Sequence, residues 1–327
     1  MINRRLATLA LLGLLALSLL LALPGMRSAV RAIERVNPLW IVAAVALEVA
    51  SDISFVVIYR LFFDRLDGRD ARALGWTSQA AGALLPGGGV GGYAISGWLT
   101  RLTGQPTSWV VRRSSALFFL TSGVNAAAVI IPGALLLAGV AGPHDFLLAG
   151  LPMVLAGAAT LSVLALPGLV RRRGGGPDWI VNIVTGIEEA RDAAGGRNWR
   201  LVGAFGYLGF DIAVLYVTLL AVGQPMSVPA LMLAYALGYL ANTVPIPGGI
   251  GVLDAGLTGA LVLYGASPIH AAAAVLLYHA IALWVPGIGG SYAYLRLRPR
   301  LVQTGAVTPW TAPEALAPAP APAEAWS

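Results

Sequence analysis

Glu48 and Asp52 lie four residues apart within the apolar run 38–63, so a helix there sets both carboxylates on one face. A third carboxylate, Asp211, stands midway along another apolar run, 199–222. A charge at the bilayer centre costs about 2.5–3.5 kcal/mol on insertion scales, which makes ionisable residues at that depth functional candidates. Two carboxylates one turn apart repel unless a proton or a cation sits with them. Asp52 and Asp211 therefore read as binders of a cationic headgroup or as proton carriers, with structural pairing to a polar group on another span as the alternative. Glu48 reads as a proton site. Its counterpart in the second half of the chain is Tyr207, so that half does not repeat it.

The composition explains why these carboxylates stand in apolar runs. Of 327 residues, 57% are hydrophobic and 11% charged. That is less than half the charged share of about 25% in a soluble domain. An integral membrane protein is the expected class, which excludes cytosolic enzymes and nucleic-acid-binding domains. The absence of Cys removes disulfides, iron–sulfur clusters and thiolate chemistry, and three scattered His do not make a metal site. No metal, cofactor or nucleic-acid partner is expected.

A hydrocarbon core about 30 Å thick needs roughly 20 apolar residues in a helix. The runs 6–23, 38–63, 114–139, 146–170, 199–222 and 268–295 meet that need, the first as an uncleaved anchor, with a signal peptide as the alternative. Two further apolar regions are broken. Residues 73–85 and 91–103 flank Pro86-Gly87-Gly88-Gly89-Val90-Gly91-Gly92, and residues 229–244 and 251–264 flank Pro245-Ile246-Pro247-Gly248-Gly249-Ile250-Gly251. Pro and repeated Gly break a helix, and pieces this short fall below the bilayer thickness. Each region is expected to be a re-entrant hairpin. The fold class is thus all-α integral membrane, with six spanning helices plus two re-entrant hairpins; eight spans is the rival count. Residues 1–37 form the anchor and linker, 38–295 the main transmembrane domain and 296–327 a disordered tail. Arginines gather on one side, at Arg4 and Arg5, in the 60–72 loop, at Arg101, Arg112 and Arg113, through 171–200, and at Arg296, Arg298 and Arg300. The positive-inside rule places both termini in the cytoplasm of an inner (plasma) membrane protein. Within 171–200, the stretch from Asp178 to Arg191 reads as an amphipathic helix for the inner leaflet, or simply as part of a positive-inside segment.

The chain repeats itself. Trp40 matches Trp199 and Asp52-Ile53 matches Asp211-Ile212, at one offset of 159 residues. Pro86-Gly87-Gly88 matches Pro247-Gly248-Gly249, and Gln105-Pro106 matches Ser267-Pro268, with a drift of a few residues. The units run about 38–139 and 199–295. An odd number of spans separates their starts, so they are expected to be inverted. Interrupted short segments at matching places in inverted repeats point to a central transport site.

Leu85-Pro86-Gly87-Gly88-Gly89-Val90-Gly91-Gly92, the Arg112-Arg113 region, and Pro245-Ile246-Pro247-Gly248-Gly249-Ile250-Gly251-Val252-Leu253-Asp254 resemble the lysylphosphatidylglycerol synthase transmembrane domain family, also called flippase-like proteins. The resemblance covers roughly 38–295. It implies lipid translocation or a related membrane task. It does not imply aminoacyl transfer, because no soluble synthase domain is present in this sequence. The family's acidic residue after the first glycine-rich turn and its nearby Arg are replaced here by Tyr93 and by Ile95 or Ser96, which implies a different substrate or a degenerate site.

The remaining candidates follow. Gly87, Gly88, Gly91, Gly248, Gly249 and Gly251 offer N–H groups to a phosphate, or serve close helix packing. Asp254 caps a helix start and faces substrate. Arg112 and Arg113 hold a lipid phosphate through paired N–H forks, or snorkel at the interface. Tyr93, Asn242 and His279 are weaker candidates, as are Asn125 and Tyr239. The function expected is a lipid flippase of the inner membrane, not an enzyme, with a membrane lipid as substrate and an enzyme of lipid synthesis as a possible partner. A proton- or ion-coupled carrier of a small polar solute, or a non-transporting accessory protein, are the alternatives.

The natural absence of Cys permits a direct check of orientation. Ala141→Cys and Pro225→Cys are expected to react with a membrane-impermeant maleimide applied outside intact cells, and Arg173→Cys only after lysis.

Overall fold

The computed structural model describes residues 26–85, 88–243, 249 and 251–303. The first apolar run, Gly87, Gly248, the Asn242 side chain and the chain after 303 lie outside the described residues. Among the described residues every regular element is helical. In order these are α1 (Met26–Glu34), α2 (Pro38–Phe62), α3 (Gly68–Leu84), α4 (Gly88–Leu102), α5 (Thr107–Leu137), α6 (Leu151–Arg172), α7 (Asp178–Gly195), α8 (Val202–Ala221), α9 (Val228–Tyr239), α10 (Val252–Leu263) and α11 (Pro268–Gln303). A π-turn, Phe146–Gly150, leads into α6, and a 3₁₀ turn, Trp199–Leu201, leads into α8. Five stretches are long and apolar enough to cross a membrane: Pro38–Phe62, Thr107–Leu137, Phe146–Arg172, Trp199–Ala221 and Pro268–Gln303. They correspond to the five expected spans that fall in the described residues.

Side-chain caps fix where the related helices begin. Asn37 accepts from the Leu39 N–H at 2.9 Å, and Asn198 accepts from the Arg200 N–H at 3.0 Å. Each Asn supplies the acceptor that the first turn of a helix lacks. Asp67 does the same for α3 through the Arg69 N–H at 3.1 Å, and that bond holds its carboxyl below the ordinary carboxylate range.

Four boundaries differ from the sequence expectation. α4 begins at Gly88 and not at 91, so most of the expected break is its first turn. α3 begins at Gly68 and not at 73, because the Asp67 cap draws the polar stretch Arg69-Asp70-Ala71-Arg72 into the helix. α5 begins at Thr107 after the extended Pro106, so Arg112 and Arg113 lie inside the helix and do not open it. α11 continues past 295 to Gln303, through Pro286 and Pro299. Buried Leu297 and Leu301 hold its end against the core, and Arg300 pairs with Asp70 at 2.6 Å. The region after 295 therefore starts as helix.

The two halves interlock. α2 packs along α8, the pair with the most extensive contact. α3 folds back on α4, and α9 folds back on α10. α11 then lies on α3, while α5 lies on α9, so the last helix of each half packs on the first hairpin arm of the other. α7 does not lie free on a leaflet: buried Gly186, Ile187 and Ala190 dock it on α5. α6 packs chiefly on α5 and α7 and leaves a face of exposed leucines such as Leu155 and Leu161.

Lipid tails are as apolar as leucine, so helices in a membrane associate by close packing, not by hydrophobic exclusion. The α2–α8 crossing shows this. A Cβ on Gly203 would meet the Ser54 carbonyl oxygen at 2.4 Å and the Ile58 N at 2.8 Å, both backbone atoms. The Ser51 hydroxyl donates to the Tyr207 carbonyl at 2.8 Å across the same seam. The hairpin arms close in the same way, with Gly92 against the Ser78 carbonyl oxygen and Gly238 against Leu257 Cα.

Gly203→Ala is expected to lower thermal stability in detergent by about 1–3 kcal/mol, the cost of overpacking. Gly209→Ala, on the same helix with nothing within 4 Å, is the control and leaves the melting temperature nearly unchanged.

Candidate functional site

A cavity of about 660 Å³ lies between the two halves. α2 contributes Glu48, Ser51 and Phe55, and α8 contributes Tyr207 and Asp211. Ser78 and Gln79 come from α3, Tyr93 from α4, and Thr121, Ser122 and Asn125 from α5. The other half adds Tyr235 and Tyr239 from α9, Leu253 from α10, and Tyr278 and His279 from α11. Among the described lining residues there is no arginine. Three of these side chains are acidic or histidine: Glu48, Asp211 and His279.

The three intramembrane carboxylates have different surroundings. Asp211 accepts from two phenols, Tyr278 at 2.9 Å on one oxygen and Tyr235 on the other. The Tyr239 and Tyr278 hydroxyls meet at 2.8 Å, and the Tyr235 and Tyr239 rings stack at 4.5 Å. Asp52 accepts from the Gln79 amide at 3.3 Å on one oxygen, while its Oδ2 is buried with no hydrogen-bond partner. Asp52 is 0% exposed and stands behind the lining. Glu48 is 5% exposed, lines the cavity, and its Oε2 also has no partner. In each half, then, the mid-span Asp bonds to the first arm of its own hairpin, Asp52 to Gln79 and Asp211 to Tyr235.

Asp254 caps a helix start and bonds to His279, and it stands outside the described cavity lining. Its Oδ2 accepts from the Gly251 N–H at 2.8 Å, and its Oδ1 meets His279 Nδ1. Gly251 has φ +84°, a left-handed conformation that favours glycine. Asp254 thus ties α10 to α11 beside the cavity. Tyr93 meets Thr121 Oγ1 at 3.1 Å and joins α4 to α5. Ser96 faces away from the cavity and bonds to Tyr59 at 3.0 Å.

Not every candidate comes to this place. Gly88 and Gly91 lie on the first turn of α4, and Gly249 and Gly251 lie before α10; Gly91, Gly249 and Gly251 are outside the described lining. Arg112 and Arg113 are also outside it. Arg113 pairs with Glu189 of α7 at 3.1 Å and with Asp64 at 3.5 Å, so its fork is occupied by protein carboxylates. The Arg112 Nε is buried without a partner. Sequence reasoning missed Gln79, Tyr235 and Tyr278. The signals were present: Tyr235 and Tyr239 are spaced i,i+4, and Tyr278 adjoins His279.

Membrane-length helices around a partly open cavity that carries polar groups on its wall define a multi-pass helical membrane protein. The chain belongs to the lysylphosphatidylglycerol synthase transmembrane-region family, whose model matches residues 7–290. No curated protein matches it.

Tyr278→Phe leaves Asp211 with one donor and Tyr239 without its partner. It is expected to lower stability by about 1.5–3 kcal/mol, the worth of a hydrogen bond to a charged group, read as a fall in melting temperature in detergent. Phe118→Leu, on the cavity wall but without a polar partner, is expected to cost less.

Proposed function

We propose that the chain moves the polar head of a membrane lipid through the central cavity while the acyl chains stay in the bilayer. The observation that carries this reading is a cavity of about 660 Å³ bounded by membrane-length helices and lined by polar groups from both halves. Phe118, Asn125 and Leu240 on its wall are exposed, which supports entry from the side between spans. A lipid needs such an opening because its tails cannot follow the head into a closed chamber.

The lining chemistry favours a head that carries a positive charge. It offers Glu48 and Asp211 as anions and tyrosine faces that attract cations. It offers no arginine to a phosphate, and Arg113 is already paired. Glu48 and Asp211 contact the head, Tyr235 and Tyr278 hold Asp211 in place, and His279 with Asp254 fixes the α10–α11 wall. The exchanged packing of the halves supports inverted repeats, with six spans and two re-entrant hairpins in an inner membrane and both termini in the cytoplasm. In this reading the chain is a translocase, not an enzyme, and an enzyme of lipid synthesis supplies its substrate.

The test is translocation in liposomes containing the purified chain and lipids labelled on the tail, with ammonium-bearing and purely anionic heads compared. The ammonium-bearing lipid is expected to cross faster. Asp211→Asn is expected to slow it at least about tenfold, the effect of losing 1.4 kcal/mol of binding. Equal rates for both heads, or unchanged rates in both Asp211→Asn and Asp52→Asn, overturn the reading.

A further inference from the structure

We infer that the cavity is a cation–proton exchange site in which Glu48 holds a proton while the cavity is empty and releases it when a positively charged group enters. This rests on the reading that a cationic head occupies the cavity, and it adds how that passage is coupled to protons.

The geometry starts from an imbalance. Glu48, Asp52 and Asp211 lie within electrostatic reach of one another. An ionised carboxylate without a partner is costly in a low-dielectric interior and takes up a proton instead. Among the described residues, the groups that line the cavity with Glu48 supply no unmatched positive charge. α8 presents Asp211 and Tyr207, and α4 presents Tyr93. α9 presents Tyr235 and Tyr239; α11 presents Tyr278 and His279. The His279 ring is held by Asp254 of α10, so any charge on it is already matched. α3 faces the cavity with Ser78 and Gln79, and α5 with Thr121, Ser122 and Asn125, none of which titrates.

The three carboxylates then divide their roles by their contacts. Asp211 has a phenol donor on each oxygen, which suits the anion. Asp52 is sealed behind the lining with Oδ2 unpartnered, so no path leads from it to a guest. Glu48 alone combines a free oxygen, near-complete burial and a place on the cavity wall. When a cation enters, the Glu48 O–H bond breaks, the proton passes to water, and the carboxylate that remains faces the cation. One positive charge replaces another, and the net charge of the site stays constant. The two requirements, a free acid and an open cavity, meet at this one side chain.

The probe is tetramethylammonium, which is permanently charged and has no proton of its own, added to the full chain in nanodiscs of neutral lipid. Binding is expected to release about one proton per cation into weakly buffered solution, with affinity rising about tenfold per pH unit while Glu48 remains protonated. The infrared carbonyl band of a protonated carboxylic acid should fall on binding. In Glu48→Gln both the proton release and the pH dependence should vanish. Glu48→Asp, which keeps the acid, should retain them even if the amide variant folds poorly. Binding without proton release, or release that persists in Glu48→Gln, overturns the exchange. Binding at no pH overturns it too, together with the cationic head. Lipid translocation that persists but ignores an imposed pH gradient overturns the exchange and leaves the translocation reading standing.

Discussion

The structure depends on one electrostatic constraint: carboxylates are buried on membrane-length helices, and among the described residues no arginine lines the cavity beside them. Water would screen such charges at little cost, but a protein interior inside a bilayer does not. Each carboxylate must therefore find hydrogen-bond donors, a proton or a guest. The tyrosines of α9 and α11 answer for Asp211, and the Gln79 amide answers for part of Asp52. Glu48 is left with an oxygen that no protein group satisfies. A cavity opens at the place where the protein stops compensating.

That cavity exists because the helices around it pack unevenly. Where glycine lets backbones touch, as at Gly203 on α8 and Gly238 on α9, the seam is tight. Where bulky tyrosines project from helices on both sides, the backbones stay apart and polar space remains.

The two halves share particular contacts but not their chemistry. Asn37 and Asn198 cap their spans alike, and both mid-span aspartates reach their own hairpin. Yet Asp52 is sealed and Asp211 lines the cavity. On the charged side of the molecule, Arg113, Glu189 and Asp64 clamp α7 to α5 and to the loop after α2. This clamp sets the ends of the helices whose middles form the site.

The helical class and the membrane spans were legible in the sequence, because each follows from local composition and period. Runs of apolar residues announce their own length, and Pro-Gly clusters announce a break wherever they fall. Glu48, Asp52 and Asp211 stood out for the same reason, as charges where none is cheap. The partners of those charges were not legible. Tyr278 reaches Asp211 from 67 positions away and Gln79 reaches Asp52 from 27, contacts that form only when the separate helices of each half pack together. The roles of Arg112 and Arg113 were equally hidden, since the carboxylates that claim Arg113 come from α7 and from the 63–67 loop. Sequence set which residues had to be buried; tertiary packing decided which of them found partners and which line the cavity, because hydrogen bonds are satisfied across distances the chain does not encode locally.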